Sequence, residues 1–364
     1  MLHVAAGNLF GGVETFLRTL ARYRERVPEL DSEFALCFEG RLATELRGES
    51  AVLHLLGNVR LRDPGSVLRA NAKFVRLLRR GRFDAVVTHG EWPHTLFGIT
   101  TKLCRTKLVA WAHGAPQTPH LLDSLAKRVR PDLLIVNSQH TASALGSTFA
   151  GVPSRIIAYP VEPSSTGLRS RAEVRDELNL SESTVGIVFA ARFERWKGHE
   201  VLLRAARSLL DRDASDWRIL MCGGVQRPSD EAFADELRCY VRDFGLSSRV
   251  QFLGARSDIP DVFGAADVFC QPNTGPEPFG IVFVEALYAG LPVVATRMGG
   301  AAEIVDDSCG LLAEPNPESV ANALHSLVTD GTLRRRLSLG GPKRARELCD
   351  PEARIREIAQ AIRV

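Results

Sequence analysis

The sequence predicts an α/β protein built from two doubly wound parallel sheets. Short apolar segments alternate with amphipathic segments along the whole chain, which is the order typical of strands and helices in parallel sheets. The 364 residues exceed the length at which a single hydrophobic core stops growing, so we expect two domains, residues 1–163 and 164–350. Two Rossmann-like sheets that face one another across a cleft are the economical arrangement, with ligands at the carboxyl ends of the strands.

Composition favours a globular protein in a reducing compartment. Apolar residues make up 45% of the chain and charged residues 24%. The seven cysteines show no Cys-x-x-Cys spacing and lie mostly in or beside apolar segments, which favours buried free thiols over disulfides or zinc ligands. The first residues are too short for the apolar part of a signal peptide, and no apolar stretch reaches about 18 residues. We therefore expect a cytoplasmic location.

Charge is distributed unevenly along the chain. Residues 1–164 carry 21 Lys and Arg against 14 Asp and Glu, a net charge of +7. The remaining residues carry 25 against 29, a net charge of −4. The basic half could therefore face an anionic partner, and we expect this partner not to be a nucleic acid.

The chain opens with a strand, a glycine turn and a helix. Residues 2–6 form the predicted strand, Asn8 follows it, and the helix begins after Gly12. The amino end of such a helix can bind an anion, although a tight turn without a ligand would use the same residues. The spacing does not fit the dinucleotide Gly-x-Gly-x-x-Gly pattern, so we expect no nicotinamide or flavin cofactor.

A helix predicted over residues 66–80 combines an apolar face with a cationic stripe. Its expected apolar face consists of Leu68, Ala72, Val75 and Leu78. The stripe consists of Arg69, Lys73, Arg76 and Arg80. A solvated outer face of the helix explains this stripe, and so does a surface that rests on anionic lipid.

Two predicted strands of the first half end in histidines. Residues 84–89 end at His89, with Glu91 just beyond, and residues 108–112 lead directly to His113. Both side chains are therefore expected at the edge of the sheet where open α/β proteins bind ligands. A purely structural role remains the alternative for each histidine.

The second half begins with a buried strand that is followed by two cations. The strand covers residues 185–191, Arg192 comes next, and Lys197 precedes a helix over residues 199–212. Two cations beside a helix start suit the negative charge of a diphosphate leaving group. Pairing of these cations with Glu194 or Glu200 on the surface is the alternative.

A second motif, residues 277–296, reads as a loop, a helix and an apolar strand. Glu277 lies on the loop, Gly280 opens the helix, and Glu285 lies about a turn and a half inside it. The first N–H groups of a helix lack intrahelical partners, so we expect the main chain of Phe279, Gly280 and Ile281 to hold a phosphate or a sugar hydroxyl. The two carboxylates are spaced too widely to act on one bond, so we expect them to touch different parts of a long ligand.

The remaining elements continue the same alternation. Further strands are predicted at 34–38, 52–56, 133–136, 218–222, 250–254, 267–272 and 310–313. Further helices are predicted at 40–49, 171–178, 229–244, 261–265, 317–329, 332–339 and 351–364, the last of them packing back onto the first domain. Residues 163–171 are polar and serine-rich, as expected of a linker.

One group of motifs resembles a known family. Glu277-Pro278-Phe279-Gly280, then Glu285, then 290–296 (Gly-Leu-Pro-Val-Val-Ala-Thr) and Gly299-Gly300, is similar to the signature of retaining GT-B glycosyltransferases of family four, also called glycosyl transferases group one. The resemblance is strong over nearly the whole second domain and weak over the first. At the linker, where the family usually has Asn-Gly-Val-Asp, this chain has residues 159–162, Tyr-Pro-Val-Glu, which leaves the contacts there open.

The resemblance implies a role for each matching residue. Glu277 would contact the donor sugar, His113 the donor sugar and the phosphate, and Glu285 the nucleotide ribose. Arg192 and Lys197 would stabilise the departing diphosphate, and with Glu277 and His113 they would be the catalytic residues. Gly12 would lie in the loop that closes over the donor phosphates, together with the main chain at 279–281. From their positions after the first strands, and not from the resemblance, we expect Asn8, His89 and Glu91 on the acceptor side. The site would need no metal and no cofactor besides its nucleotide sugar, and the acceptor would be a glycan, a lipid-linked glycan or a small molecule.

Transfer of a sugar with retention of its anomeric configuration, as in polysaccharide biosynthesis, is therefore the expected activity. Two alternatives belong to other classes. A nucleotide-sugar epimerase of the same architecture would convert the donor without an acceptor. A non-catalytic partner would bind the nucleotide without reacting. The sequence specifies neither the donor base and sugar nor the acceptor.

Overall fold

The computed structural model describes residues 1–8, 11–114, 125–146, 148–163, 169–212, 215–225 and 228–363, except the side chains of 228 and 229. The chain divides into two compact units, a first unit of Met1–Glu162 with Cys349–Val364 and a second unit of Pro163–Leu348. Residues 9–10 of the glycine turn and 164–168 of the predicted linker lie outside the described residues. No described helix has the length and apolar character needed to cross a membrane.

The first unit contains a seven-stranded parallel sheet. Its strands are β1 Leu2–Ala5, β2 Glu33–Leu36, β3 Leu53–Leu55, β4 Ala85–His89, β5 Lys107–Ala112, β6 Leu133–Val136 and β7 Ser154–Ile156. Its helices are α1 Gly12–Arg22, α2 Arg41–Gly48, α3 Pro64–Arg80, α4 Glu91–Leu103, α5 Gln139–Leu145 and, at the end of the chain, α14 Pro351–Arg363. The strand order is β3-β2-β1-β4-β5-β6-β7, so the order reverses between β1 and β4.

Helix α14 belongs to the first unit although it comes last in the chain. Lys107 Nζ donates a hydrogen bond of 2.7 Å to the carbonyl of Ile362, and Arg363 Nη2 donates one of 2.9 Å to the carbonyl of Glu29. The side chains of Ile355, Ile358 and Ile362, spaced three and four residues apart, are buried as one face of the helix. This amphipathic face fixes the end of the chain to the first unit.

Helix α3 buries a different face from the one that the sequence predicts. Its buried row is Ser66, Ala70, Phe74 and Leu78, spaced by four residues. Leu68 is 71% exposed and Ala72 is also exposed, so the expected apolar face was wrong at these two positions. The aromatic ring decides the rotation of the helix, because Phe74 packs on Phe97 of α4 with ring centroids 4.8 Å apart.

The second unit contains a six-stranded parallel sheet. Its strands are β8 Val185–Ala190, β9 Trp217–Cys222, β10 Val250–Gly254, β11 Val268–Gln271, β12 Val293–Thr296 and β13 Gly310–Ala313. Its helices are α6 Arg171–Glu177, α7 His199–Arg212, α8 Pro228–Asp243, α9 Ile259–Ala265, α10 Ile281–Tyr288, α11 Ala301–Ile304, α12 Pro317–Thr329 and α13 Gly331–Cys349. The order β10-β9-β8-β11-β12-β13 reverses between β8 and β11, which is the doubly wound Rossmann order.

Helix α13 continues ten residues beyond its predicted end at residue 339. It passes through Gly340, Gly341 and Pro342, which the sequence marks as a stop. A Cβ atom on Gly340 would lie 1.9 Å from the carbonyl oxygen of Ser308, and one on Gly341 would lie 3.0 Å from that of Leu287. The glycines therefore allow the helix to pack closely on neighbouring backbone rather than ending it.

Candidate functional site

The candidate residues of the second unit gather where the strand order of its sheet reverses. Strand β8 ends at Ala190 and leads to Arg192, and the neighbouring β11 ends at Gln271 and leads to Glu277. The carboxyl ends of two strands diverge at this point, which leaves a crevice in open α/β sheets. The motif with Arg192 and Lys197 and the motif with Glu277 are far apart in the sequence, but they are adjacent in this unit.

Lys197 and Glu277 form an ion pair in this crevice. Lys197 Nζ contacts Glu277 Oε2, and the two side chains are only 11% and 14% exposed. Lys197 Nζ also lies 3.9 Å from the centre of the Trp196 ring, a favourable position for a cation. The sequence had offered Glu194 or Glu200 as surface partners, and for Lys197 the partner is instead the carboxylate of the other motif.

A glycine brings the two strand ends together. Lys197 ends a 3-10 turn over Arg195–Lys197, and Gly198 follows with φ of 83°. A Cβ atom at Gly198 would lie 1.8 Å from the carbonyl oxygen of Pro272, so no other residue fits there. The N–H of Thr274 donates a 2.8 Å hydrogen bond to the carbonyl of Trp196. This close backbone contact sets the position of Lys197 relative to the Glu277 loop.

Glu277 is held from the other side by the Gly299-Gly300 loop. The N–H of Gly300 donates a 2.7 Å hydrogen bond to the carbonyl of Glu277, and Asn273 Nδ2 donates one of 3.3 Å to Glu277 Oε2. Gly299 has φ of 59°, and a Cβ atom on it would lie 2.4 Å from the carbonyl oxygen of Glu277. The main chain of Glu277 is therefore fixed by backbone contacts, and its carboxylate is held by the side chains of Lys197 and Asn273.

Arg192 differs from Lys197 in its surroundings. Its side chain is 41% exposed and pairs with Glu194 at 2.9 Å. This is the surface pairing that the sequence left open as an alternative. Because the pair is solvent-accessible, it is worth little in the absence of a ligand, and the guanidinium can exchange Glu194 for a phosphate at small cost.

The predicted helix start is present at α10. Gly280 precedes the helix with φ of 99°, and a Cβ atom there would lie 2.4 Å from the ring of Phe283. The side chains of Phe279 and Ile281 are buried, so their main chain is what they can offer to a ligand. Glu285 lies on α10 with a partly exposed side chain. Its expected contact with a ribose stays a prediction.

The candidate residues of the first unit lie around the reversal of its own sheet. Gly12 is the first residue of α1, and the N–H of the preceding Gly11 is already bound by Glu14 Oε2 at 2.9 Å. Asn8 is exposed and lies three residues beyond the end of β1. Glu91 is the first residue of α4 and lines a cavity of about 170 Å³ together with Trp111 and Phe149. Their expected contacts with a donor or an acceptor stay predictions.

His113 lies at the end of a line of buried rings that the sequence did not predict. His3 Nδ1 lies 2.9 Å from His89 Nε2, and His89 Nδ1 lies 2.9 Å from His113 Nε2. His113 Nδ1 lies 2.5 Å from Tyr159 Oη. His89 is 5% exposed and both of its ring nitrogens are bonded to other rings, so in this structure it supports His113 rather than facing an acceptor.

Burial keeps these imidazoles neutral. Removal from water lowers the pKa of His3 and of His113 to about 3. The same effect holds the pKa of His89 well below its ordinary value, and the two neighbouring histidines lower it further. All three rings are therefore uncharged near neutral pH.

The unusual segment at 159–162 is explained by these contacts. Tyr159 bonds to His113, and its Oη also accepts a 3.2 Å hydrogen bond from Asn137 Nδ2. Glu162 accepts a 2.7 Å hydrogen bond from Arg22 of α1. Tyr159 and Glu162, two of the three departures from the family pattern, are therefore anchored inside the first unit.

Among the residues that the structure describes, no group of three or more His, Cys, Asp or Glu side chains is arranged to hold a metal ion. A reaction without a metal stays a prediction.

Comparison with known proteins identifies the class of protein that has this fold and these motifs. The family model for glycosyl transferases group 1 matches residues 170–344, and that for glycosyltransferase family 4 matches residues 10–164. A crystal structure of Anabaena Alr3699/HepE in complex with UDP and glucose is 24% identical, with a TM-score of 0.85 over 100% of this chain and 98% of that chain. The fold is therefore GT-B, with two Rossmann-like units.

Two sequence relatives narrow the family. A D-inositol 3-phosphate glycosyltransferase from Corynebacterium diphtheriae is 33% identical over 289 residues, which cover 72% of this chain and 67% of the relative. One from Corynebacterium glutamicum is 33% identical over 225 residues, which cover 59% of this chain and 53% of the relative, so the alignment spans about half the length of that protein. The chain belongs to the group 1 glycosyltransferases, family four.

Proposed function

We propose that this protein transfers a sugar from a nucleoside diphosphate sugar to an acceptor hydroxyl with retention of the anomeric configuration. The observation that carries the proposal is the largely buried Lys197–Glu277 pair at the reversal point of the second sheet. It joins the two motifs that the family shares, and family membership supports glycosyl transfer as the reaction.

The chemistry assigned to this site is electrostatic. As the glycosidic bond breaks, negative charge grows on the diphosphate, and Lys197, Arg192 and the N–H groups beside Gly280 are positioned to stabilise it. Without a ligand, Glu277 holds Lys197 in place. A bound phosphate takes a share of that cation, and Glu277 is then available to the sugar hydroxyls while Glu285 binds the ribose.

No metal or covalent nucleophile is included in the proposed step. A departing phosphate oxygen accepts the proton of the acceptor hydroxyl as the new bond forms, so the proton and the leaving group balance. The UDP and glucose of the Anabaena structure support a uridine nucleotide sugar as the first donor to test. The acceptor is a hydroxyl of a glycan, a lipid-linked glycan or a small molecule such as a polyol phosphate, which the names of the Corynebacterium relatives support.

The direct experiment is a donor screen followed by product analysis. Thermal unfolding is measured with uridine, guanosine and adenosine diphosphate sugars, and the stabilising donor is then incubated with and without acceptors. Transfer predicts a new glycoside in which NMR finds the anomeric configuration of the donor. An altered donor sugar without any acceptor would instead identify an epimerase, and binding without any reaction would identify a non-catalytic partner.

The outer face of helices α3 and α4 supports a second part of the proposal, contact with an anionic membrane surface. Leu68, Ile99 and Leu103 are 71%, 58% and 79% exposed, which is unusual for large apolar side chains in this unit. Asn71 accepts a 2.5 Å hydrogen bond from Thr100, so the two helices present one continuous surface.

The four residues of the cationic stripe of α3 are exposed as well. Of these four, Arg69 is the one that forms an ion pair among the described side chains, with Asp63 at 3.5 Å. A helix that exposes both cations and a large apolar side chain suits an interface with anionic lipid better than a solvated face.

A further inference from the structure

The buried rings of the first unit form one continuous hydrogen-bonded chain. It begins at Ser32, whose Oγ lies 3.3 Å from His3 Nε2, and continues through His89 and His113 to Tyr159. The planes of His3 and His89 are inclined by 21°, and those of His89 and His113 by 19°. With nitrogens 2.9 Å apart, these nearly coplanar rings meet edge to edge.

The register of the parallel strands produces this chain. His3 of β1 is paired with Val87 of β4, and His89 lies two residues further along β4. His89 is paired with Trp111 of β5, and His113 again lies two residues further. Because side chains two residues apart share a face of a strand, the three imidazoles run diagonally across one face of the sheet.

The number of protons on the three rings restricts the hydrogen-bonded chain of imidazoles to two tautomeric states. A neutral imidazole has one N–H donor and one acceptor nitrogen, and every ring–ring bond needs one of each. If one ring changes its tautomer, all of its neighbours must change with it. The protons therefore lie either on every Nδ1 or on every Nε2.

The tyrosine end favours one of these states. Tyr159 Oη lies 2.5 Å from His113 Nδ1, so one proton is shared between these two atoms. Asn137 Nδ2 donates to Tyr159 Oη, so that contact uses a lone pair of the oxygen and not its proton, and His113 Nδ1 is an acceptor within reach of that proton. Tyr159 thus donates to His113 Nδ1, and the proton of each histidine lies on Nε2.

We propose that His3 and His89 are positioning residues that hold His113 as the neutral Nε2–H tautomer. Both ring nitrogens of His113 are occupied, so the ring offers a fixed, uncharged surface to a ligand and neither gives nor takes a proton during transfer. The claim about turnover rests on the proposed function, whereas the claim about the tautomer does not.

Two substitutions of His89 each break the hydrogen-bonded chain of rings on one side of this residue. The Oδ1 of asparagine takes the place of Nδ1, so His89→Asn keeps an acceptor for His113 and loses the bond to His3. The amide of glutamine reaches the place of Nε2, so His89→Gln keeps the bond to His3 and leaves the Nε2–H of His113 without an acceptor. His94→Asn is the matched control, because His94 is also buried but bonds to Thr88 and Val129.

Long-range ¹H–¹⁵N spectra of the full-length protein labelled in histidine test the proposal without any substrate. We expect the Nε2–H pattern for His3, His89 and His113 in the wild type. His113 should keep this pattern in His89→Asn and His94→Asn and should become a tautomer mixture in His89→Gln. An Nδ1–H or a charged ring at His113 in the wild type, or the same spectrum in all three variants, would overturn it.

Kinetics provide the second readout. We expect kcat to be about tenfold lower in His89→Gln than in His89→Asn, as for the loss of one buried hydrogen bond, with the donor KM unchanged within about twofold. Equal kcat values would contradict a positioning role. If no sugar is transferred at all, the proposed function fails and the spectra still decide the tautomer.

Discussion

Lowering the pH from 7 to 5 is expected to destabilise the first unit more than the second. The first unit buries His3 and His113 with the pKa of each lowered to about 3, and it also buries His89, whose pKa is lowered in the same direction. In the second unit, burial lowers the pKa of His199 to about 3. The change from pH 7 to pH 5 therefore acts on more buried histidines in the first unit than in the second.

The magnitude follows from proton linkage. A histidine in the unfolded chain has a pKa of about 6.5, so below that pH the unfolded state binds a proton that the folded state does not. The free energy of unfolding is therefore highest above about pH 6.5, and it decreases as the pH falls from 6.5 towards 3. At pH 5 each such histidine lowers the free energy of unfolding by about 2 kcal/mol, which gives about 4 kcal/mol for His3 and His113 and about 2 kcal/mol for His199.

Urea unfolding at the two pH values, followed by hydrogen exchange and mass spectrometry, measures this difference. Peptides from each unit give separate unfolding midpoints after correction for the intrinsic pH dependence of exchange. The variant His199→Phe is the control, because it removes the term from the second unit and leaves the first unchanged. Equal loss of stability in the two units, or none, would refute the neutral, buried histidines.

The remaining predictions concern the second unit and the membrane surface. Arg192→Ala should lower turnover by about 10²–10³-fold with little loss of stability, whereas Lys197→Ala should also lower the free energy of unfolding by about 1–3 kcal/mol, because it removes the cation that pairs with the largely buried carboxylate of Glu277. Calorimetry should show weaker nucleotide binding for Glu285→Ala, and kinetics should show mainly a lower kcat for Glu277→Ala. Gly198→Ala should cost more than the about 1–3 kcal/mol of a strained backbone alone, measured by urea unfolding, because its Cβ meets Pro272. Flotation with anionic vesicles should be lost when the stripe is changed to glutamine at Arg69, Lys73, Arg76 and Arg80.

Matched controls exist for these variants. Arg195→Ala removes an exposed cation that pairs with Glu236 and should leave turnover unchanged. Gly245→Ala places a side chain at φ of 67° with nothing within 4 Å, so it measures the strain without the clash. For vesicle binding, the control changes four exposed arginines of the second unit that pair with carboxylates, Arg204, Arg207, Arg238 and Arg242.

Several outcomes would contradict these predictions. Normal turnover in Arg192→Ala and Lys197→Ala would remove the phosphate role of both cations. Equal loss of nucleotide affinity in Glu277→Ala and Glu285→Ala would remove the division between sugar and ribose. If Gly198→Ala and Gly245→Ala lower the free energy of unfolding equally, the backbone around Gly198 relaxes to accommodate the added Cβ atom. If the wild type does not float with anionic vesicles, the membrane surface is wrong.

The sequence predicted the parts of the fold that depend on local pattern. The bounds of α7, α12, β10 and β13 match the structure to the residue, because each has a clear cap, glycine or change of period at both ends. The buried face of α3 and the end of α13 were not predicted correctly, because both depend on tertiary contacts. Leu68 was placed in the core of α3, and α13 was stopped before a Gly-Gly-Pro segment that packing carries through.

The site shows the same division. Lys197 and Glu277 were each recognised from the residues around them, but their pairing joins positions 80 residues apart and depends on β8 lying beside β11. The role of His3 depends on the register of β1, β4 and β5, and the role of Tyr159 depends on its contact with His113, 46 residues away; no local pattern contains either. Side chains alternate between the two faces of a strand, so residues two apart share a face. This alternation was the one sequence signal that could have linked His3, His89 and His113.

The most direct test of the account is a structure of the protein with a bound nucleoside diphosphate, beginning with UDP. The account predicts the diphosphate at the carboxyl ends of β8 and β11, with an oxygen bonded to Lys197 Nζ and the ribose on Glu285. A nucleotide bound elsewhere, with the Lys197–Glu277 pair unchanged, would contradict it.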